Sequence, residues 1–282
     1  MKILAIPVFF FLIATTGQTS RAAYHRDVVY AERSDGELTL DAYVPDGAGP
    51  HPAVIIVHGG GWSKGDKQTY VQPLFPVLQD AGYAWFSINY RLAPKHRFPE
   101  PAKDVEDAIR WVRLNSVAYN IDPARLALIG ESAGGHLVSW VGLTNPAGLV
   151  GVVPFYAPHN LLTRAEKIGI SENVQNLLGI TADMNGENRL ALKNASPYYQ
   201  VTPAAPPFLL IHGTKDKQVA FNQSVSMQKQ FRKLRLACDL FTVKGGGHGM
   251  SSWSDLDPTW KNYLVQWLRE RMRSAPSRQP VR

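Results

Sequence analysis

Short apolar runs alternate with longer amphipathic stretches along most of this chain, and that rhythm predicts its elements. Residues 27–32 and 37–44 read as two strands, joined through Ser34-Asp35-Gly36 as a hairpin. A Pro/Gly-rich loop over 45–52 leads into an apolar strand at 53–57. The spacing predicts a helix over 70–81, interrupted early by Pro73 and Pro76, and a strand over 83–88. Val105, Ile109 and Val112 recur at core spacing in a helix over 101–115. Strands at 126–129, 149–153, 208–211 and 238–243 follow, with helices over 133–143 and 260–271. Strands that alternate with helices specify a mainly parallel sheet covered on both faces, with the hairpin as its antiparallel edge. Residues 157–206 break the alternation. An insertion of that length is expected to lie over the C-terminal ends of the strands as a small lid, or else to be a surface excursion with its own helices.

The first 22 residues follow a different rule. Lys2 precedes a 12-residue apolar core at 3–14, and Ser20-Arg21-Ala22 has small residues where a signal peptidase reads. We expect 1–22 to be a signal peptide, 23–282 to be the folded domain, and the protein to be secreted or periplasmic. The apolar run is short for a membrane span, so no stable membrane insertion is expected once it is cleaved. Only 35 residues separate position 23 from His58, too few for a large helical cap ahead of it.

Composition narrows the remaining classes. With 282 residues, 45% hydrophobic and 19% charged, the chain can bury a sizeable core. The formal charge of +7 falls to +5 without Lys2 and Arg21, and basic residues are interleaved with acids, so nucleic acid is not an expected partner. The single Cys238 has no disulfide partner, lies in a strand pattern, and is expected to be a buried small hydrophobe. No metal-ligand spacing stands out, and the sequence sets no oligomeric state. A polar tail from Arg273 is expected to be disordered.

The chemistry sits at strand ends. Gly130-Glu131-Ser132-Ala133-Gly134 follows the strand at 126–129 and opens a helix, the context of a nucleophile elbow. Small neighbours permit the tight turn that exposes the serine hydroxyl, and the helix N-terminus directs N–H groups to the same point. His58-Gly59-Gly60-Gly61-Trp62 follows the strand at 53–57, where glycines let backbone N–H groups approach a ligand. A nucleophile and an oxyanion site are the parts acyl transfer most needs. The chain order of such an elbow places an acid and then a histidine downstream. Asp216 lies just past the strand at 208–211, and His248 sits in the glycine-rich loop after 238–243. His248 would take the Ser132 proton and Asp216 would orient its imidazole. His212 and His159 are lesser candidates for the base, and Asp239, Asp255 and Asp257 for the acid. The last two suit a cap of the closing helix.

On HGGGW (58–62), NYRLAPKHRFPEPAKD (89–104), GESAGGHL (130–137), PPFLLIHGTKDKQV (206–219) and GGHGM (246–250), the chain resembles α/β-hydrolase carboxylesterases. It is similar to hormone-sensitive-lipase-like esterases, and most to the compact bacterial acetyl-xylan and feruloyl esterase-like members. The resemblance implies Ser132, Asp216 and His248 as the triad, and Gly60, Gly61 and Ala133 as oxyanion donors. It implies no cofactor, and a small ester or acylated polysaccharide as substrate. Asn89 replaces the usual Asp, and Lys95 the Glu usual in the lipase-like branch, both in a supporting turn. Trp62 is placed either to pack against an acyl or sugar group or to anchor its loop in the core. An amidase or peptidase shares the triad, and a non-catalytic binding protein shares the fold, though the latter usually lacks the serine or histidine retained here.

Overall fold

The computed structural model describes residues 21–273. The signal-peptide expectation for 1–22 and the polar-tail expectation therefore fall almost wholly outside the described residues. Eight strands form one sheet: β1 (Ala23–Arg33), β2 (Gly36–Val44), β3 (His51–Val57), β4 (Ala84–Ile88), β5 (Ile121–Glu131), β6 (Leu149–Phe155), β7 (Phe208–Gly213) and β8 (Cys238–Val243). Their spatial order is β1-β2-β4-β3-β5-β6-β7-β8. The β1–β2 and β2–β4 pairs are antiparallel, and every pair from β4 to β8 is parallel. After β3 the chain first steps to β4 on one side, then crosses to β5 on the other. Such a reversal leaves a crevice at the carboxyl ends of the two strands, here β3 and β5. In register Val57 lies opposite Gly130, which brings both candidate motifs to that crevice.

Both sheet faces are covered because the central strands are apolar throughout. Ile55 and Val57 face one core with α2 (Glu100–Leu114), α3 (Ala133–Thr144) and α7 (Asn222–Lys233), while Val54 and Ile56 face the other with α1 (Leu74–Asp80) and α9 (Thr259–Arg273). All four side chains are fully buried. The helix expected over 70–81 begins only at Leu74. Pro73 is its N-cap and Pro76 lies in its first turn, where a missing N–H costs no intrahelical bond. Cys238 is half-buried rather than enclosed, because β8 is the outer strand and only Val243 in it is fully covered.

The 157–206 insertion carries α4 (Leu161–Ile168), α5 (Glu172–Leu178), α6 (Gly186–Asn194) and a 3₁₀ turn (Pro197–Tyr199). Asn160 and Asn185 cap α4 and α6 by accepting from Thr163 N and Asn188 N. Leu161, Val174, Leu177 and Leu192 join the core on the α2–α3 face, and each buried side chain of this kind is worth about 1.5–3 kcal/mol. Polar ties reinforce the packing: His136 Nε2 lies 2.7 Å from Ala195 O, Leu161 N donates to Ser196 Oγ, and Asn160 N donates to Gln223 Oε1. The insertion is thus tied to α3 and α7, the helices that cover this face of the sheet. Among the described residues no helix is long and apolar enough to cross a membrane.

Candidate active site

At the end of β5 the chain turns sharply into α3. Ser132, between them, has φ 51° and ψ −114°, a strained conformation for a residue with a side chain. It is held by Ser132 N donating to Phe155 O at 2.9 Å and by His136 N donating to Ser132 O at 3.0 Å. The turn also demands a bare backbone at position 134. A Cβ on Gly134 would lie 2.1 Å from Val57 O and 2.4 Å from His58 O. That close approach presses the elbow against the start of the 58–62 loop.

The loop is fixed by its own contacts. Tyr90 donates its hydroxyl to His58 O and Gly59 O, both at 3.2 Å, and stacks on the His58 ring at 4.3 Å. Gly60 adopts φ 96° and accepts from Ser63 N and Lys64 N. Gly60 N and Gly61 N donate to no acceptor among the described residues. Ala133 N, at the first position of α3, lacks an intrahelical acceptor by construction. Gly60, Gly61, Ser132, Ala133 and His248 line one cavity of about 520 Å³. Trp62 is anchored in the core at the edge of this cavity. It lines this cavity, yet it is 4% exposed and its indole N–H donates to His136 Nδ1 at 3.2 Å.

His248 Nε2 lies 2.9 Å from Ser132 Oγ, and His248 Nδ1 lies 2.7 Å from Asp216 Oδ2. A carboxylate accepts only, so Nδ1 carries the proton and Nε2 is left to accept from the serine hydroxyl. Asp216 Oδ1 accepts from Gln218 N and Val219 N, each at 2.8 Å. Burial pushes its carboxyl up, but hydrogen bonds from His212, His248 and Val219 N outweigh that and hold it far below the usual range. It is therefore ionised at any working pH.

The remaining histidines and acids stand apart from Ser132. His212 is fully buried, with Nδ1 2.8 Å from Ser224 Oγ and Nε2 3.0 Å from Val219 O. It backs Asp216 Oδ2 at 3.3 Å, which the sequence did not signal. His159 is fully buried with both ring nitrogens unpartnered among the described residues, and burial lowers its pKa to about 3. Asp239 accepts from Trp267 Nε1, and Asp257 accepts from Thr259 N at the start of α9. Asn89 Oδ1 accepts from Lys67 N and its amide donates to Thr39 Oγ1, while Lys95 pairs with Asp35, so both departures stay in the supporting turns.

Two residues at the site were not legible beforehand. Tyr156 is fully buried and meets the His248 ring edge-to-face at 4.7 Å. Trp253, packed on Tyr156 at 5.2 Å, donates its indole N–H to Gly247 O and so clamps the loop of His248. Glu131 lines the cavity beside Ser132 but is 3% exposed, and burial pushes its carboxyl up.

The BD-FAE family model matches residues 40–231. Esterase LipC of Mycobacterium tuberculosis is 33% identical over 219 residues, covering 71% of this chain and 53% of its own length. The probable carboxylic ester hydrolase LipM of the same organism is 30% identical, over 67% of this chain and 47% of its own. The chain thus spans about half the length of these curated relatives. Among solved structures, a truncated carbohydrate esterase from gut microbiota superposes with a TM-score of 0.81 at 25% identity, covering 91% of this chain and 99% of that one. An acetyl ester-xyloside bifunctional hydrolase from Caldicellulosiruptor lactoaceticus superposes with a TM-score of 0.75 at 25% identity, over 90% and 98%. A family match over two thirds of the chain, on a reversed parallel sheet with a strained serine at its crevice, means that the chain belongs to the BD-FAE family of α/β-hydrolases.

Proposed function

We propose that this protein is a serine carboxylic ester hydrolase for short acyl esters, with acetyl or feruloyl groups on plant polysaccharide as its substrate class. One observation carries the reading: His248 bridges Asp216 and Ser132 at hydrogen-bond distance, in a cavity that Gly60 and Gly61 also line. Ser132 Oγ attacks the ester carbonyl carbon as its proton passes to His248 Nε2. The carbonyl oxygen becomes an oxyanion between the N–H groups of Gly60, Gly61 and Ala133. When the tetrahedral adduct collapses, the C–O bond to the alcohol breaks and His248 returns the proton to it. Water, deprotonated by His248, then attacks the acyl-enzyme, and the proton goes back to Ser132 as the acid leaves. Asp216 stays ionised and stabilises the imidazolium. Each oxyanion donor is worth on the order of a hundredfold or more in turnover.

The short-acyl preference follows from the walls. The insertion is packed into the core, and it lines the cavity with Leu161 and Val174 but also with Arg164, Ser171 and Asn173. A longer acyl chain gains about 0.8 kcal/mol per methylene only where apolar surface buries it, and the polar groups of the insertion interrupt that surface on its side of the cavity. The names of the gut carbohydrate esterase and the acetyl ester-xyloside hydrolase support a glycan-borne ester. We further propose that 1–22 is a signal peptide and that the protein works outside the cytoplasm. N-terminal sequencing of the exported protein should begin near Ala23, and an intact Met1 in the membrane fraction would overturn this.

The test is a panel of 4-nitrophenyl esters, acetylated xylan, methyl ferulate and an anilide, with wild type and Ser132→Ala. Ester hydrolysis that is lost in Ser132→Ala is expected. Full activity in Ser132→Ala sinks the serine mechanism, and a preference for the anilide makes the protein an amidase.

A further inference from the structure

The cavity that holds Ser132 has an imbalance of charge that ester hydrolysis does not use. Arg164, on α4, and Lys64, after the glycine loop, both line it, and the acid that lines it is Glu131. Glu131 is enclosed against the Gly59 backbone and its carboxyl is pushed toward the neutral form. Neither cation forms an ion pair among the described residues. Among the described residues the guanidinium of Arg164 hydrogen-bonds to a hydroxyl, with Nη1 3.3 Å from Ser171 Oγ. The guanidinium is half-buried, and burial without a nearby carboxylate lowers its pKa.

Position makes the imbalance relevant to the reaction. Ser171 lies two residues before Asn173, about 7 Å of chain at most. The Asn173 amide sits 2.5 Å from where a Cβ on Gly61 would be, and so against the proposed oxyanion loop. Arg164, Ser171 and Asn173 therefore form a short path from the insertion to the reacting carbonyl. Because α4 is capped by Asn160 and packed into the core, the backbone that carries Arg164 is fixed, and Ser171 Oγ holds one end of its guanidinium. A planar fork of donors, partly stripped of water and lacking an anion, matches a carboxylate.

We propose that the cavity selects esters carrying a carboxylate a few bonds from the scissile carbonyl, and that Arg164, assisted by Lys64, receives that carboxylate. This deepens the ester-hydrolase reading and rests on Ser132 as the nucleophile. For a glycan-borne ester the fitting class is an acylated sugar within reach of a uronic acid.

Two matched pairs test it. Mono-(4-nitrophenyl) succinate against 4-nitrophenyl butyrate places the carboxylate on the acyl side. 4-Acetoxybenzoate against 4-acetoxybenzamide places it on the leaving alcohol. In one pair the anion is expected to have roughly tenfold or higher kcat/KM, mostly through KM, and the advantage should shrink at 0.5 M salt. Arg164→Gln should lower that anion-to-neutral ratio about tenfold, and Arg164→Lys should keep part of it. Ratios at or below one in both pairs, or a ratio untouched by Arg164→Gln in a folded protein, overturn the proposal. A separate arm measures benzoate and succinate binding to Ser132→Ala by calorimetry, with and without Arg164→Gln. Binding that depends on Arg164 supports the carboxylate site. Binding that is absent, or indifferent to Arg164, sinks it. Failure to hydrolyse even the neutral esters would instead count against the esterase reading and leave the calorimetry to decide this one.

Discussion

Adding one methyl group at Gly134 should disable the site without unfolding the protein. The new Cβ would lie 2.1 Å from Val57 O and 2.4 Å from His58 O, where ordinary contact starts near 3.4 Å. The elbow and the end of β3 must therefore part by about 1 Å. Neither yields easily. Val57 is bonded between β4 and β5 in mid-sheet, and α3 is buried along most of its length. Overpacking of this kind costs about 1–3 kcal/mol, a fraction of a typical stability. The effect on function is larger, because His58 opens the loop that carries Gly60 and Gly61. A displacement of about 1 Å between oxyanion donors and nucleophile costs on the order of a hundredfold in rate. Gly134→Ala should thus lower kcat for 4-nitrophenyl acetate about a hundredfold, with a smaller change in KM. Gly186→Ala, at the start of α6 with open space around its Cβ, is the control and should be near neutral. Steady-state kinetics and urea unfolding of the three proteins measure both effects. A Gly134→Ala protein within about threefold of wild-type kcat would refute the argument that this contact sets the site.

Asp216→Asn should lower kcat by about 10⁴, because the amide favours the wrong imidazole tautomer, while Asp255→Asn and Asp257→Asn should stay near wild type; the reverse order would move the acid elsewhere. Burial lowers His58 and His136 to about 4 and His159 to about 3. Their pKa values are depressed on folding, so as pH falls below about 6.5 the unfolded chain protonates first and stability drops until about pH 4. The three together should cost about 4 kcal/mol per pH unit in that window. Urea unfolding at pH 7.5, 6 and 5 reads the slope, and a value below about 1.4 kcal/mol per unit would mean that fewer than one of them is neutral on folding. Turnover across acetyl to dodecanoyl esters should peak at or below about butyryl and show no jump on emulsified lipid, since the insertion is packed down and its cavity wall carries Arg164 and Asn173; a maximum at octanoyl or longer would overturn the short-acyl reading.

Much of the scaffold is legible because β3 to β7 are buried on both faces and leave continuous apolar runs, such as 53–57 and 208–211, that few other structures explain. Residues placed by local turns are legible for the same reason: Ser132, Asp216 and His248 each sit within a few residues of a strand end. What contacts them across the sheet is not. Tyr156 meets His248 only because β6 ends level with β7, through Phe155 opposite Ile211, and nothing near position 156 marks it. His212 reads as a buried strand residue, and its contact with Asp216 depends on how the 213–219 loop folds back. Helix limits near 70–74 escaped the periodicity because Pro73 sets the first turn, and the turn residues before it keep an apolar spacing without helical bonds. The half-exposure of Cys238 depends on which strand ends up outermost, a matter of topology rather than composition.

The clamp of Trp253 on Gly247 also orders events in time. Ser132 and the glycine loop belong to the first half of the chain, but His248 is held by a tryptophan that packs on Trp260 of α9. During synthesis the proposed nucleophile, the proposed oxyanion donors and most of the sheet emerge well before the residues that anchor the loop of His248. In the proposed mechanism the residue that anchors the loop of the general base is therefore among the last to be made.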